Sequence, residues 1–198
     1  MTPLFGLVLA GGRSTRMRTD KAALAISARP QLARAFELIV PRVTRAFVSV
    51  RADQAHEPLR AGFPQVIDGP IGRGPIAGIV AAQASCPEVA WLVLACDLPL
   101  LDGATLDELI AGRNPLRLAT AFRSAVDGLP EPLCAIYEPH CREAILAYVA
   151  AARDCPRKFL TAHDVALLDA ARPEALANAN TPRDVDAAMA ALAAAGAR

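Results

Sequence analysis

A strong charge of either sign is missing from this chain. Across 198 residues, 21 lysines and arginines face 20 aspartates and glutamates, a formal net charge of +1. A broad nucleic-acid-binding surface normally carries a basic excess, so no nucleic-acid partner is expected. Also missing is any apolar run near the roughly twenty residues that cross a bilayer. The start, Met1-Thr-Pro-Leu-Phe5, shows neither the basic segment nor the cleavage site of a secretion signal. The expectation is a cytoplasmic protein with no membrane partner. Its five cysteines (86, 96, 134, 141 and 155) include no Cys-x-x-Cys pair and read as free, buried thiols of a reducing compartment. The histidines at 56, 140 and 163 have no metal-ligand spacing, so a zinc site is not expected. No internal repeat or long linker interrupts the chain. Its length and its 54% hydrophobic content fit a single domain over residues 1–198 with a well-buried core.

What the chain does have is alternation. Apolar, β-prone runs at Phe5–Ala10, Ala46–Val50, Gln65–Ile67 and Trp91–Ala95 are separated by longer stretches of helical period. Helices are expected at Gln31–Val40, from Gly74 to about Ser85, and at Asp102–Ala111, with Pro75 in a first turn and Asp102 as an N-cap. Further strands are expected at Arg117–Phe122 and Leu133–Tyr137, and helices at His140–Ala152 and Thr181–Ala194. This order predicts an α/β fold, a three-layer α/β/α sandwich with a mostly parallel, Rossmann-like sheet. In open sheets of that kind, ligands bind beyond the carboxyl ends of the strands.

Several residues sit where those ends would be. The first strand stops at Gly11-Gly12, whose amides lack a flanking Cβ and can approach phosphate oxygens closely. Arg13, Arg16 and Lys21 follow in one polar loop and supply positive charge. Asp97 ends the most apolar strand, where a carboxylate is costly without a partner. A hard divalent cation is one such partner, and capping the next helix is the alternative. Asp68 reads either as a turn former or as a polar ligand contact. Ser49 and Arg51 close the second strand, either as ligand contacts or with Arg51 simply solvated. Arg157 and Lys158 are either an anion site or a solvated helix end, and Asn178 and Asn180 either hydrogen-bond a ligand or shape the turn before Pro182.

The order Leu9-Ala-Gly-Gly-Arg-Ser-Thr-Arg-Met-Arg-Thr-Asp-Lys21 resembles the signature of the sugar-phosphate and cofactor nucleotidyltransferases. Together with Gly74-Pro-Ile-Ala-Gly78, Pro130–Pro139, Cys155–Leu160 and Asn178-Ala-Asn-Thr-Pro182, it is most similar to the molybdenum cofactor guanylyltransferases. The resemblance implies transfer of GMP from GTP to molybdopterin with loss of pyrophosphate. Arg16, Lys21 and Asp97 would be catalytic, with Asp97 holding Mg2+. Leu9, Ala10, Gly11, Gly12, Lys21, Ser49, Asp68, Gly74, Gly78 and Asp97 would contact the nucleotide. Arg157, Lys158, Asn178 and Asn180 would contact the acceptor. Transient contacts with other cofactor-biosynthesis proteins or with recipient molybdoenzymes belong to the same implication. The alternatives are a CTP-dependent enzyme on the same acceptor and a non-catalytic nucleotide carrier. Relatives using CTP tend to have Leu-Ala-Ala-Gly where this chain has Leu9-Ala-Gly-Gly12, which favours GTP. One departure stands out: Arg18 occupies a position where the family usually has glycine.

Overall fold

The apolar runs pair as expected into one sheet. The computed structural model describes residues 2–12, 20–26 and 29–196. The strands of the main sheet are β1 (Leu4–Leu9), β4 (Arg45–Val50), β5 (Gln65–Ile67), β6 (Ala90–Ala95), β7 (Ala119–Arg123), β8 (Pro130–Tyr137) and β9 (Val165–Leu168). Two short strands, β2 (Ala25–Ile26) and β3 (Arg29–Pro30), make a separate antiparallel pair. The seven-stranded order is β5-β4-β1-β6-β8-β7-β9. β8 runs antiparallel to both β6 and β7, and all other neighbours are parallel.

Alternation along each strand divides the core in two. In β6, Leu92 and Leu94 face one side and Trp91 and Val93 the other, all fully buried. On the first face pack helices α1 (Gln31–Ile39) and α4 (Gly103–Ala111), through Leu32, Ile39, Leu106 and Leu109. On the second pack α3 (Pro75–Ser85), α5 (Cys141–Ala150) and α6 (Pro156–Thr161), through Ile76, Ile79, Ile145 and Phe159. A short α2 (Pro58–Ala61) lies between β4 and β5, and α7 (Pro182–Gly196) follows the last strand. The three-layer α/β/α sandwich is therefore present. The expected boundaries shift by up to a few residues, and β9, α2 and α6 are additions. Asp102 does cap α4, accepting from the Thr105 amide at 2.9 Å. Among the described residues no helix is long and apolar enough to cross a membrane. All five cysteines are free; Cys96, Cys134 and Cys141 are buried, whereas Cys86 and Cys155 are only partly so.

The chain passes from β1 outward to β4 and β5, then returns to β6 on the other side of β1. This reversal opens a crevice between the carboxyl ends of β1 and β6, the place where doubly wound sheets bind ligands.

Candidate active site

Leu9 and Ala95 are register partners, so the loops that follow them leave the sheet side by side. Beyond them opens a cavity of about 990 Å3, at the upper end of the range of pockets that enclose small ligands. Leu9, Ala10, Gly11, Gly12 and Lys21 line it from the first loop, and Cys96 and Asp97 from the loop after β6. Ser49 and Arg51 enter from the end of β4, Asp68 from the end of β5, and Asn180 from the turn before α7. Gly74, Pro75 and Ala77 line it as well. The positive end of the α3 dipole therefore faces the cavity, as suits an anion.

Lys21 is the meeting point. Its Nζ lies 2.8 Å from Asp97 Oδ2 and donates to Asn180 Oδ1 at 2.6 Å. The Ala179 amide donates to the Asp97 carbonyl at 2.9 Å. Asp184 Oδ2 accepts from the amides of Asn180 and Thr181 at 2.9 and 2.8 Å. One turn of the C-terminal segment is thus strapped to the loop after β6, and its Asn180 side chain reaches the N-terminal lysine. The capping alternative for Asp97 falls away, because Asp102 fills that role.

Asp68 is held from two sides. Ser49 Oγ donates to its Oδ1 at 2.5 Å, and its amide donates to the Val50 carbonyl at 2.8 Å. Burial pushes the Asp68 carboxyl above the usual carboxylate range, offset in part by the Ser49 hydroxyl. Burial and the neighbouring Asp97 push the Cys96 thiol up to about 12, so it stays protonated and is no nucleophile.

The glycines have different reasons. A Cβ on Gly11 would lie 2.9 Å from Asp68 Oδ2, whereas one on Gly12 would meet nothing within 4 Å. Gly74 adopts φ +59, a left-handed conformation that L side chains rarely take, at the entry to α3. Gly78 does not line the cavity. A Cβ there would lie 2.3 Å from Ser49 Oγ and 2.9 Å from Leu9 Cδ2, so its absence lets α3 pack onto β1 and β4.

The four residues expected to contact the acceptor are not gathered in one place. Asn180 lines the large cavity. Asn178 and Arg157 line a smaller one of about 70 Å3, and Leu133 lines both. Arg157 is ion-paired with Asp127 at 3.0 Å and with Glu131 at 2.8 Å. Lys158 is exposed and lines neither. Arg16 lies outside the described residues, as do Arg13 and Arg18.

Three contributors have no role that the sequence pattern announces, although one of them, Asp20, lies inside the Leu9–Lys21 motif. Asp20 lines the cavity and pairs with Arg60 of α2, at 2.7 Å. Arg60 is buried beneath the site, and Arg73 lines the cavity from the loop before α3. The nearest sequence signal for Asp20 is its place before Lys21; Arg60 and Arg73 stand in segments with no recognisable pattern.

The family model for the MobA-like NTP transferase domain matches residues 6–167. The chain is 33% identical to a molybdenum cofactor biosynthesis bifunctional protein of a Synechocystis species, over 92% of this chain. It spans only about half of that relative, 53% of its length. A probable molybdenum cofactor guanylyltransferase of a Nostoc species is 29% identical, over 93% of this chain and 90% of its own. Among solved structures, the molybdopterin-guanine dinucleotide biosynthesis protein A of Archaeoglobus fulgidus superposes with a TM-score of 0.80 at 22% identity, covering 96% of this chain and 98% of that one.

Proposed function

The chain belongs to the MobA-like NTP transferase family, and from that premise we propose that it transfers GMP from GTP to molybdopterin, releasing pyrophosphate. The observation that carries the proposal is the convergence of Lys21, Asp97 and Asn180 in the wall of a cavity that the glycine pair also lines. The relatives named as guanylyltransferases supply the base and the acceptor.

The acceptor's phosphate oxygen attacks the α-phosphorus of GTP. The new P–O bond forms as the bond to the β-phosphate oxygen breaks, and the electron pair leaves with pyrophosphate. The nucleophile is already ionised, so no general base is needed. The task is to align two anions and to neutralise charge as it develops. Lys21, with Arg16 of the same loop, stabilises charge on the transferring group and on pyrophosphate, and the Gly11 and Gly12 amides cradle it. Asp68, held by Ser49, faces the nucleotide from the β5 side. Asn180 reaches the acceptor beside Lys21, while Asn178 and Arg157 take its far end in the adjoining small cavity.

The donor set fits magnesium. Among the described residues there is no group of three or more acidic, histidine or cysteine side chains able to cage a metal. Magnesium needs none, since it binds through one or two carboxylates and completes its shell with phosphate and water oxygens. Asp97 is that carboxylate. The aspartates lining the cavity are Asp20, Asp68 and Asp97. Asp20 is paired with Arg60, whereas Asp97 reaches the loop that carries the glycine pair. When bound, the ion supplies positive charge to the phosphate oxygens.

The test is a panel of GTP, CTP, ATP and UTP with magnesium and molybdopterin, with products read by mass spectrometry. The guanine dinucleotide is the expected product. A cytosine dinucleotide would overturn the choice of base, and nucleotide binding without any product would overturn transfer itself.

A further inference from the structure

One guanidinium joins the two ends of the segment that carries the glycine pair and the lysine. Arg60 sits on α2 with 1% of its side chain exposed. Its Nε and Nη2 donate to the Ala10 carbonyl at 3.1 and 2.9 Å. Nη2 also meets Asp20 Oδ2 at 2.7 Å, and Nη1 is paired with Glu57. The other oxygen of Asp20 accepts from the Ala22 amide at 3.1 Å and caps the 3-10 turn that starts at Lys21. The Gln65 side chain donates to the Arg60 carbonyl at 2.9 Å, which ties α2 to β5. Ala10 directly precedes Gly11, and Asp20 directly precedes Lys21. Both ends of the polar loop are therefore pinned to the sheet by one planar fork.

A buried arginine is costly, and an apolar side chain of similar volume often serves stability as well or better. Bulk packing thus gives no reason for a charge here. The bonds of Arg60 give one, since two of its partners, Ala10 and Asp20, line the cavity and the third is the Glu57 carboxylate at the start of α2. We infer that Arg60 is a positioning residue. It fixes the Asp20 carboxylate, and through the turn that Asp20 caps it sets Lys21 Nζ against Asp97 and Asn180. Lysine in its place keeps the charge but concentrates the donors on a single nitrogen, so it cannot span Ala10, Asp20 and Glu57 together. The inference rests on the proposed role of Lys21 at the transferring phosphate.

The experiment compares wild type, Arg60→Lys, Asp20→Asn and the double variant in pyrophosphate release with magnesium, GTP and molybdopterin. Each protein is also melted. Asp20→Asn probes the same contact from its more exposed side and retains a residue type suited to capping. The two single variants are expected to lose about tenfold to a hundredfold in kcat, the scale of a displacement near 1 Å at a reacting centre. KM for GTP should stay within about threefold, because Arg60 itself touches no substrate. The double variant should be no worse than the poorer single, since one contact is lost either way. Glu138→Gln is the control. It breaks a buried pair with Arg113 at the opposite end of the parallel strands, where Tyr137 is paired with Trp91 near the start of β6. It should lower the melting temperature and leave kcat unchanged. Full kcat in Arg60→Lys, losses that multiply in the double variant, or an equal loss in Glu138→Gln would overturn the inference. Absence of product from wild type with any nucleotide would instead refute the transfer reading on which it stands.

Discussion

Replacing Gly11 by alanine tests how the site measures the nucleotide base. The added methyl would lie 2.9 Å from Asp68 Oδ2 and 3.5 Å from the Arg51 amide nitrogen. Ordinary van der Waals contact requires several tenths of an ångström more from the carboxylate. Asp68 has little freedom to yield, with Ser49 bonded to its other oxygen at 2.5 Å and its own amide bonded to the Val50 carbonyl. The carboxylate must then shift against that tether, at the wall of the cavity it lines. A purine, being larger, loses more than a pyrimidine. The expected shift in preference for GTP over CTP is about 1–3 kcal/mol, or roughly 10–200-fold, as for one methylene-sized change in a binding pocket. The assay is the ratio of kcat/KM for the two nucleotides with molybdopterin as acceptor. Ser49→Ala releases the tether, so the alanine at position 11 should cost less in that background. An unchanged ratio in Gly11→Ala would refute this account of base choice, and a wild-type preference for CTP would refute the guanylyl assignment.

Asp97→Ala should abolish turnover while leaving a cooperative melt, since its partner Lys21 is not fully buried; normal transfer with magnesium would dismiss Asp97 as the metal ligand. Lys21→Ala should cut kcat by about two to three orders of magnitude, the scale of a lost transition-state donor. Lys21 and Asp97 are only 19% and 20% exposed, so some stability goes with the pair, and kinetics and a thermal melt on one preparation separate that loss from the loss in kcat. Asp68→Asn should change the pH dependence of stability. Burial raises the folded-state pKa of Asp68 above its unfolded value. The native protein therefore holds that proton more tightly, and stability is lost as pH rises through the folded pKa. The melting temperature of Asp68→Asn should gain on wild type as pH climbs from 4 to 7; a constant difference would mean that Asp68 titrates normally.

Much of this site is legible in the sequence. Apolar runs that end at Gly11 and at Asp97 declare two strand ends, and an α/β alternation brings such ends to one edge of a sheet. Other parts left no trace. An apolar run such as Leu133–Tyr137 has the same pattern in either direction, so the reversal of β8 was invisible. Val165–Leu168 is a four-residue strand, half-buried at the sheet edge, too short to show a period. Gly78 reads as a ligand-facing glycine, yet the space it leaves is taken by Ser49 and Leu9. The grip of Arg60 on Ala10 and Asp20 spans separations of 50 and 40 positions, and pairings of that kind obey no local spacing.

The bond between Lys21 and Asn180 bridges 159 positions of sequence. On a ribosome, the lysine emerges roughly 8–30 s before the asparagine, at about 5–20 residues per second. The glycine pair and Asp97 are also made well ahead of the turn that covers them. When β1, β4, β5 and β6 have all been synthesised, the wall beside Lys21 is still to be made. The last strap to arrive completes the pocket, so the residues that line the site from the first loop and from the end of β6 are made well before the turn that closes it.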